Sequence, residues 1–211
     1  MKRIIIVDYG VGNILSISRA IQEVGYKSEF TKEKSKILNS DLLILPGVGA
    51  FANAMKLLKD NNLIETLNEY VKIKKKPLLG ICLGMQMLLS KSFEKGEHKG
   101  LDFIPGEVIE IKSKSKKKDI KIPHIRWNEI LINNELNNNL LSKELIKKSF
   151  YFIHSFMSLT KEKEHTTAYC KYYDVDIPAI IRNDNVAGFQ FHPEKSGKNR
   201  LKLLKNTIDT L

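Results

Sequence analysis

The chain has 211 residues, 42% hydrophobic and 28% charged, with 35 basic against 24 acidic side chains and a formal charge of +11. That length suits a single domain over residues 1–211 with one sizeable core, and no apolar run approaches the roughly 20 residues of a membrane span. In chain order, Lys2–Asp8 reads as a strand. Its apolar run Ile4–Val7 is too short for the roughly 7–15-residue apolar region of a signal peptide, which leaves the cytoplasm as the expected location. Tyr9–Asn13 reads as a turn. Ile14, Ile17, Ile21 and Val24 fall at helical spacing, and Gly25 stands where a C-cap glycine belongs. Tyr26–Phe30 is a short strand and Asp41–Leu45 an apolar one ended by Pro46-Gly47. Phe51–Leu58 and Leu63–Ile73 fit helices, Pro77–Ile81 a strand, and Leu83–Leu89 the start of a helix. Apolar strands alternating with helices predict a mostly parallel central sheet flanked by helices.

The second half differs. Val108–Ile111, Ile120–Ile122, Phe150–Ile153, Thr166–Tyr169, Ala179–Ile181 and Val186–Phe191 read as strands with few helices between them, and Lys198–Leu211 as a closing helix. The expectation is an α/β core with additional antiparallel strands. Asn133–Asn139, with five asparagines, reads as a turn-rich loop or helix entry. The five lysines of Lys112–Lys118 read as a solvated loop, because no aromatic side chains interleave with them as a nucleic-acid stacking platform requires. No nucleic-acid partner is expected.

Two cysteines, Cys82 and Cys170, do not make a disulfide framework in a chain of this kind. No His/Cys cluster has zinc-like spacing, so no metal and no cofactor are expected. Cys170 lies in an alternating strand and reads as packing. Cys82 is different. In Gly80-Ile81-Cys82-Leu83-Gly84 a buried strand runs into a cysteine and a helical pattern begins at once, the G-x-nucleophile-x-G elbow with cysteine as nucleophile. The flanking glycines leave room for a sharp turn. A helix N-terminus favours the thiolate, and the Leu83 N–H points where an oxyanion develops.

A thiolate nucleophile needs an oriented base. In Gly188-Phe189-Gln190-Phe191-His192-Pro193-Glu194, strand alternation turns Phe189 and Phe191 inward and puts Gln190, His192 and Glu194 on the other face. Glu194 can then fix the His192 tautomer and leave one ring nitrogen for Cys82. His98 and His165 read as solvated, His124 and His154 as satisfied structural histidines. The loop Pro46-Gly47-Val48-Gly49-Ala50-Phe51 leaves backbone N–H groups open, as an anion nest requires, and can supply a second oxyanion donor. Gly10-Val11-Gly12 lacks the third glycine of a dinucleotide fingerprint, and no P-loop is present.

Together these segments resemble the class I, triad-type glutamine amidotransferases over nearly the whole chain. More narrowly, Asp8–Asn13, Leu45–Phe51, Pro123-His124, Trp127-Asn128, Tyr151–Ser155 and His192–Ser196 resemble the glutaminase subunits of imidazole glycerol phosphate synthase. The resemblance implies a flavodoxin-like fold and a glutaminase with Cys82 as nucleophile, His192 as acid/base and Glu194 as its orienter. It implies oxyanion donors at Val48 and Leu83, with Gly49, Gln86 and Ser155 near bound glutamine. It puts Asn13, Trp127, Tyr151 and Lys195 on the face of a (β/α)8 cyclase partner, in a heterodimer, that uses the ammonia in histidine biosynthesis. One departure stands out: where the family shows Pro-His-x-Gly-Trp-Asn, this chain has Arg126 for the glycine, adding bulk and charge close to the expected partner face. A second assignment follows from it, an ammonia donor for amidino groups on a bacterial surface sugar. A cysteine hydrolase of another substrate class and a non-enzymatic binding module complete the alternatives.

Overall fold

Four-residue apolar runs, buried on both sides, build the centre of the molecule. The structure is a computed structural model and describes residues 2–132, 148–195 and 198–211; the asparagine-rich stretch 133–139 lies outside the described residues. In chain order the elements are β1 (Ile4–Val7), α1 (Ile14–Glu23), β2 (Ser28–Thr31), α2 (Lys34–Leu38), β3 (Leu42–Leu45), α3 (Phe51–Asp60), α4 (Leu63–Asn68), β4 (Leu78–Ile81), α5 (Leu83–Met87), β5 (Leu89–Ser92), β6 (His98–Lys99) and β7 (Ile104–Glu110). They continue with β8 (His124–Glu129), β9 (Leu131–Ile132), β10 (Ser149–His154), β11 (Phe156–Thr160), β12 (Thr166–Tyr172), β13 (Val175–Asn183), β14 (Val186–Phe189) and α6 (Lys198–Thr210).

The main sheet has the order β2-β1-β3-β4-β14-β13-β12-β9. Pairing is parallel from β2 to β14 and antiparallel from β14 outward. Successive side chains of the parallel strands enter opposite layers. Ile4, Ile6, Leu42 and Ile44 join a core with Ile17 and Ile21 of α1 and Leu204 and Ile208 of α6. Ile5, Val7, Leu43 and Leu45 join a second core with Phe51 and Leu58 of α3 and Leu67 of α4. Each such side chain, taken fully out of water, contributes roughly 1.5–3 kcal/mol. A two-stranded sheet, β10-β8, adds an antiparallel pair as expected, while a four-stranded sheet, β11-β7-β5-β6, is mixed: β11–β7 and β5–β6 are antiparallel but β5 and β7 pair in parallel.

Local differences from the sequence reading have physical causes. The second strand runs Ser28–Thr31, two residues later than expected. The helix expected over Leu63–Ile73 closes with a π turn over Glu69–Ile73. The helix from Leu83 stops at Met87, and Leu89 already begins β5, because Leu88-Leu89 continues an apolar pattern that serves either element. Ile120–Ile122 is not a strand; the ladder starts after Pro123, at His124, and pairs with β10. The last strand ends at Phe189 rather than Phe191, and Pro193–Lys195 forms a 3-10 turn.

Glycines let α5 lie directly on the sheet. A Cβ at Gly84 would sit 1.9 Å from the Leu45 carbonyl oxygen, and one at Gly80 2.7 Å from the Gly84 backbone. A Cβ at Gly188 would meet the Met85 side chain at 2.6 Å. Gly84→Ala therefore forces a central strand and the turn after it apart. Overpacking of this kind costs about 3 kcal/mol, which lowers the thermal midpoint by roughly 6–12 °C. Gly25→Ala, whose Cβ would meet nothing within 4 Å, costs only its positive φ, about 1–2 kcal/mol. Thermal unfolding of the two variants checks this, and equal midpoints would refute it.

Candidate active site

Parallel pairing of β4 with β14 sets Ile81 beside Phe189, so the residues leaving both strands emerge at one edge of the sheet. Cys82 follows β4. Its φ of 56° and ψ of −112° lie in a region non-glycine residues avoid, and such a conformation persists only where its surroundings over-determine it. Here the Cys82 N–H donates to the Phe189 carbonyl at 2.7 Å, and the Cys82 carbonyl accepts from Gln86 N–H at 3.2 Å. The elbow expected from the glycine spacing is present. The helix behind it has only five residues, so the local N–H groups of its first turn, Leu83 among them, matter more than a long macrodipole.

His192 stands on the far side of the sulfur. Its N–H donates to the Tyr151 carbonyl at 3.0 Å, and its Nδ1 lies 2.7 Å from Glu194 Oε1, both side chains being almost wholly buried. A carboxylate only accepts, so Nδ1 carries the proton. Nε2 is left for the Cys82 thiol, with which His192 shares a hydrogen bond. Burial alone would lower the imidazole pKa, but hydrogen bonds to Cys82 and Glu194 and the charges of both raise it. The His192–Glu194 contact is made by the 3-10 turn at Pro193–Lys195, not by strand alternation as the sequence reading supposed.

A pocket of about 380 Å³ opens onto the sulfur. Its lining includes Cys82, His192, Leu83, Gln86, Val48, Gly49 and Ser155, together with Asn13 and Lys195. Gly49, at φ +89°, turns the loop after β3 towards the pocket, and Val48 is 44% exposed at its mouth. Glu94 also lines the pocket, and the Phe51 N–H donates to its Oε2 at 2.8 Å. Sequence reasoning missed Glu94. It comes from the turn after β5, in a charged stretch with no motif around it. Gln86 is buried, with its Nε2 donating to the Phe156 carbonyl at 3.0 Å and to Gln190 Oε1 at 3.1 Å.

Trp127 and Tyr151 do not line the pocket. They pair across β8 and β10, with ring centroids 5.6 Å apart. Ile125 and Ile153 lie opposite each other on the same face of that ladder, and both are exposed. Lys195 Nζ lies 5.5 Å over the Tyr151 ring. Arg126 pairs with Phe152, on the other face. Its guanidinium lies 5.8 Å over the Tyr172 ring of β12. The arginine therefore turns away from the Trp127–Tyr151 face that the sequence reading placed it beside, because strand alternation sends neighbours to opposite sides.

A thiol joined to a carboxylate-oriented imidazole, with free N–H groups beside it, can perform acyl transfer at an amide or ester carbonyl. The sequence profile for "Glutamine amidotransferase class-I" matches residues 5–210. The chain belongs to the class I glutamine amidotransferase family. It is 42% identical over 207 residues to imidazole glycerol phosphate synthase subunit HisH of Carboxydothermus hydrogenoformans, covering 98% of this chain and 99% of that one. It is 42% identical to the subunit of the same name from Lactococcus lactis, covering 100% of both. Among solved structures it resembles PurLQS from Thermotoga maritima, with a TM-score of 0.72 at 18% identity, over 100% of this chain and 99% of that chain. A structure described as a glutamine amidotransferase gives a TM-score of 0.69 at 16% identity, over 98% and 99%. At these identities both likenesses are ones of fold. Among the described residues, no His, Cys, Asp and Glu group could hold a metal ion, and no helix is long and apolar enough to cross a membrane.

In the pocket wall, His154 Nδ1 lies 2.7 Å from the Phe156 carbonyl and His154 Nε2 lies 3.0 Å from His124 Nδ1. The carbonyl only accepts, so His154 carries its proton on Nδ1, while His124 is held between His154 Nε2 and the Asn128 Oδ1, 3.3 Å from its Nε2. Burial pushes the His124 pKa down to about 4, and burial with the His124 neighbour pushes His154 down to about 3. Both are neutral when folded and titrate near 6.5 when unfolded, so the unfolded state binds more protons below that pH. Stability is full above about pH 7 and falls as pH drops. Each histidine removes about 2 kcal/mol between pH 7.5 and 5. His192 has the opposite sign: its folded pKa is raised to about 10, so it stays protonated when folded while the unfolded form takes up its proton near 6.5, and it gives back about 1.4 kcal/mol of this loss between pH 7.5 and 5. Urea unfolding at the two pH values measures the loss; a His124→Gln/His154→Gln double variant with the same pH slope would contradict the assignment.

Proposed function

We propose that this protein is the glutaminase subunit of an imidazole glycerol phosphate synthase. It hydrolyses glutamine to glutamate and ammonia and delivers the ammonia to a (β/α)8 cyclase partner, in the cytoplasm, for histidine biosynthesis. The observation that carries the chemistry is the buried Cys82–His192–Glu194 contact at the floor of an open pocket. The pathway rests on the name of the full-length relatives at 42% identity.

In this reading the Cys82 thiolate attacks the carboxamide carbon of glutamine. The Val48 and Leu83 N–H groups hold the oxyanion. His192 protonates the departing ammonia, then removes a proton from the water that releases glutamate from the thioester. Gly49, Gln86 and Ser155 shape the substrate pocket. Glu94, an acceptor in a pocket otherwise rich in N–H groups, takes the α-ammonium of glutamine. The exposed face of Trp127, Tyr151, Ile125 and Ile153, with Asn13 and Lys195 at the pocket rim, is the cyclase docking surface. Aromatic and aliphatic side chains gathered there are the composition of an interface core. Arg126 lies on the opposite side of the ladder. It therefore leaves this face apolar, which favours the cyclase over the surface-sugar acceptor.

The deciding experiment measures glutamate release with and without an imidazole glycerol phosphate synthase cyclase subunit and its nucleotide ligand. Strong stimulation is expected. Absence of stimulation, with Cys82 still labelled by a glutamine analogue, would remove the pathway and keep the glutaminase. Cys82→Ala should lower turnover by about three orders of magnitude or more. Glu94→Gln should raise KM for glutamine roughly tenfold or more with a smaller change in kcat, the mark of a lost charged contact in the ground state and transition state alike. A normal KM in that variant would exclude the ammonium contact.

A further inference from the structure

A third group reaches the sulfur besides His192 and the elbow. Gln190 is fully buried, and its Nε2 lies 3.9 Å from Cys82 Sγ, a long N–H···S contact. Which end of its amide faces the sulfur follows from the bonds behind it. The Phe156 carbonyl oxygen can only accept, so the Gln86 group 3.0 Å from it is the NH2. The second hydrogen of that NH2 points to Gln190 at 3.1 Å, which requires the Gln190 oxygen there. The Gln190 NH2 is thereby turned to Cys82. His154 Nδ1–H donates to the same Phe156 oxygen and fills its remaining lone pair.

We propose that Gln190 stabilises the Cys82 thiolate by N–H donation, in an orientation enforced through Gln86 by the Phe156 carbonyl. This rests on the reading of Cys82 as a thiolate nucleophile. The donor strengthens as the sulfur gains charge, because bonds to ionised acceptors exceed those to neutral ones. The ionisable groups bearing on the sulfur are otherwise His192, bonded to it, and Tyr9, at the end of β1, whose pKa is pushed up by burial and then by Cys82. Glu194 acts behind His192, His154 stands beyond it, and Glu94 and Lys195 line the same pocket.

The test is the pH dependence of Cys82 alkylation by iodoacetamide, in which thiolate displaces iodide, located by mass spectrometry. Buried Cys170 serves as the unlabelled control. Gln190→Met keeps the shape and removes the donor. The midpoint of its profile should rise by about one pH unit, with alkylation about tenfold slower below the midpoint and a high-pH plateau close to wild type. Gln86→Met leaves Gln190 in place but frees its amide to turn, and should shift the midpoint in the same direction by less. A folded Gln190→Met protein with the wild-type midpoint overturns the proposal. If Gln190→Met does not fold, the wild-type Gln190 side-chain amide nitrogen is followed by NMR. It should move with the alkylation midpoint, and a signal that stays fixed overturns the proposal. Alkylation needs no glutamine, so the two readings fail separately. A shifted midpoint without glutamine turnover sinks the glutaminase and keeps the donor. Normal turnover with an unmoved midpoint does the reverse.

Discussion

The pairing of β4 with β14 is the constraint on which the site depends. The two strands are far apart in sequence and belong to differently built halves of the chain, one parallel and helix-covered, the other antiparallel. Their parallel register sets Gly80 against Gly188 and Ile81 against Phe189. The Cys82 N–H then closes onto the Phe189 carbonyl. This bond joins the two segments that carry the thiol and the imidazole. It also holds the cysteine in a backbone conformation it would not adopt alone.

Around that seam the polar groups are ordered by what each can accept. A carboxylate fixes His192, and a backbone carbonyl fixes both His154 and Gln86. Buried networks are costly when incomplete and rigid when complete. This one connects the sulfur to β10, which also carries Tyr151 and Ile153 on its outer face. The pocket lies at the end of this short ladder, where Ile153, His154 and Ser155 line it, and the exposed apolar face runs on from its rim.

Much of this was legible in the sequence, for uneven reasons. The parallel core announced itself through strands that are apolar without alternation, as a sheet covered on both faces requires. The elbow was legible because glycine spacing encodes a steric demand directly. The pairing of His192 with Glu194 was inferred from strand alternation, while the chain makes it with a 3-10 turn after Pro193. Leu88-Leu89 misled because an apolar pair fits the end of a helix and the start of a strand equally well. Glu94 left no local signal, since its role comes from holding the Phe51 N–H across 43 positions of chain. The side of the ladder taken by Arg126 required knowing that His124–Glu129 is a strand, and the sequence reading had put that strand at Ile120–Ile122.

The glycines under the elbow carry one more implication. Gly47, Gly80, Gly84 and Gly188 bring backbone against backbone or against a buried methionine, with hypothetical Cβ atoms at 1.9 to 2.7 Å. A region without side chains offers nothing for substitution to adjust. Small substitutions cannot retune the setting of Cys82 and the loop after β3 there, because every step adds an atom where none fits. Room for change lies instead at the rim and on the exposed ladder, where added atoms meet solvent rather than backbone.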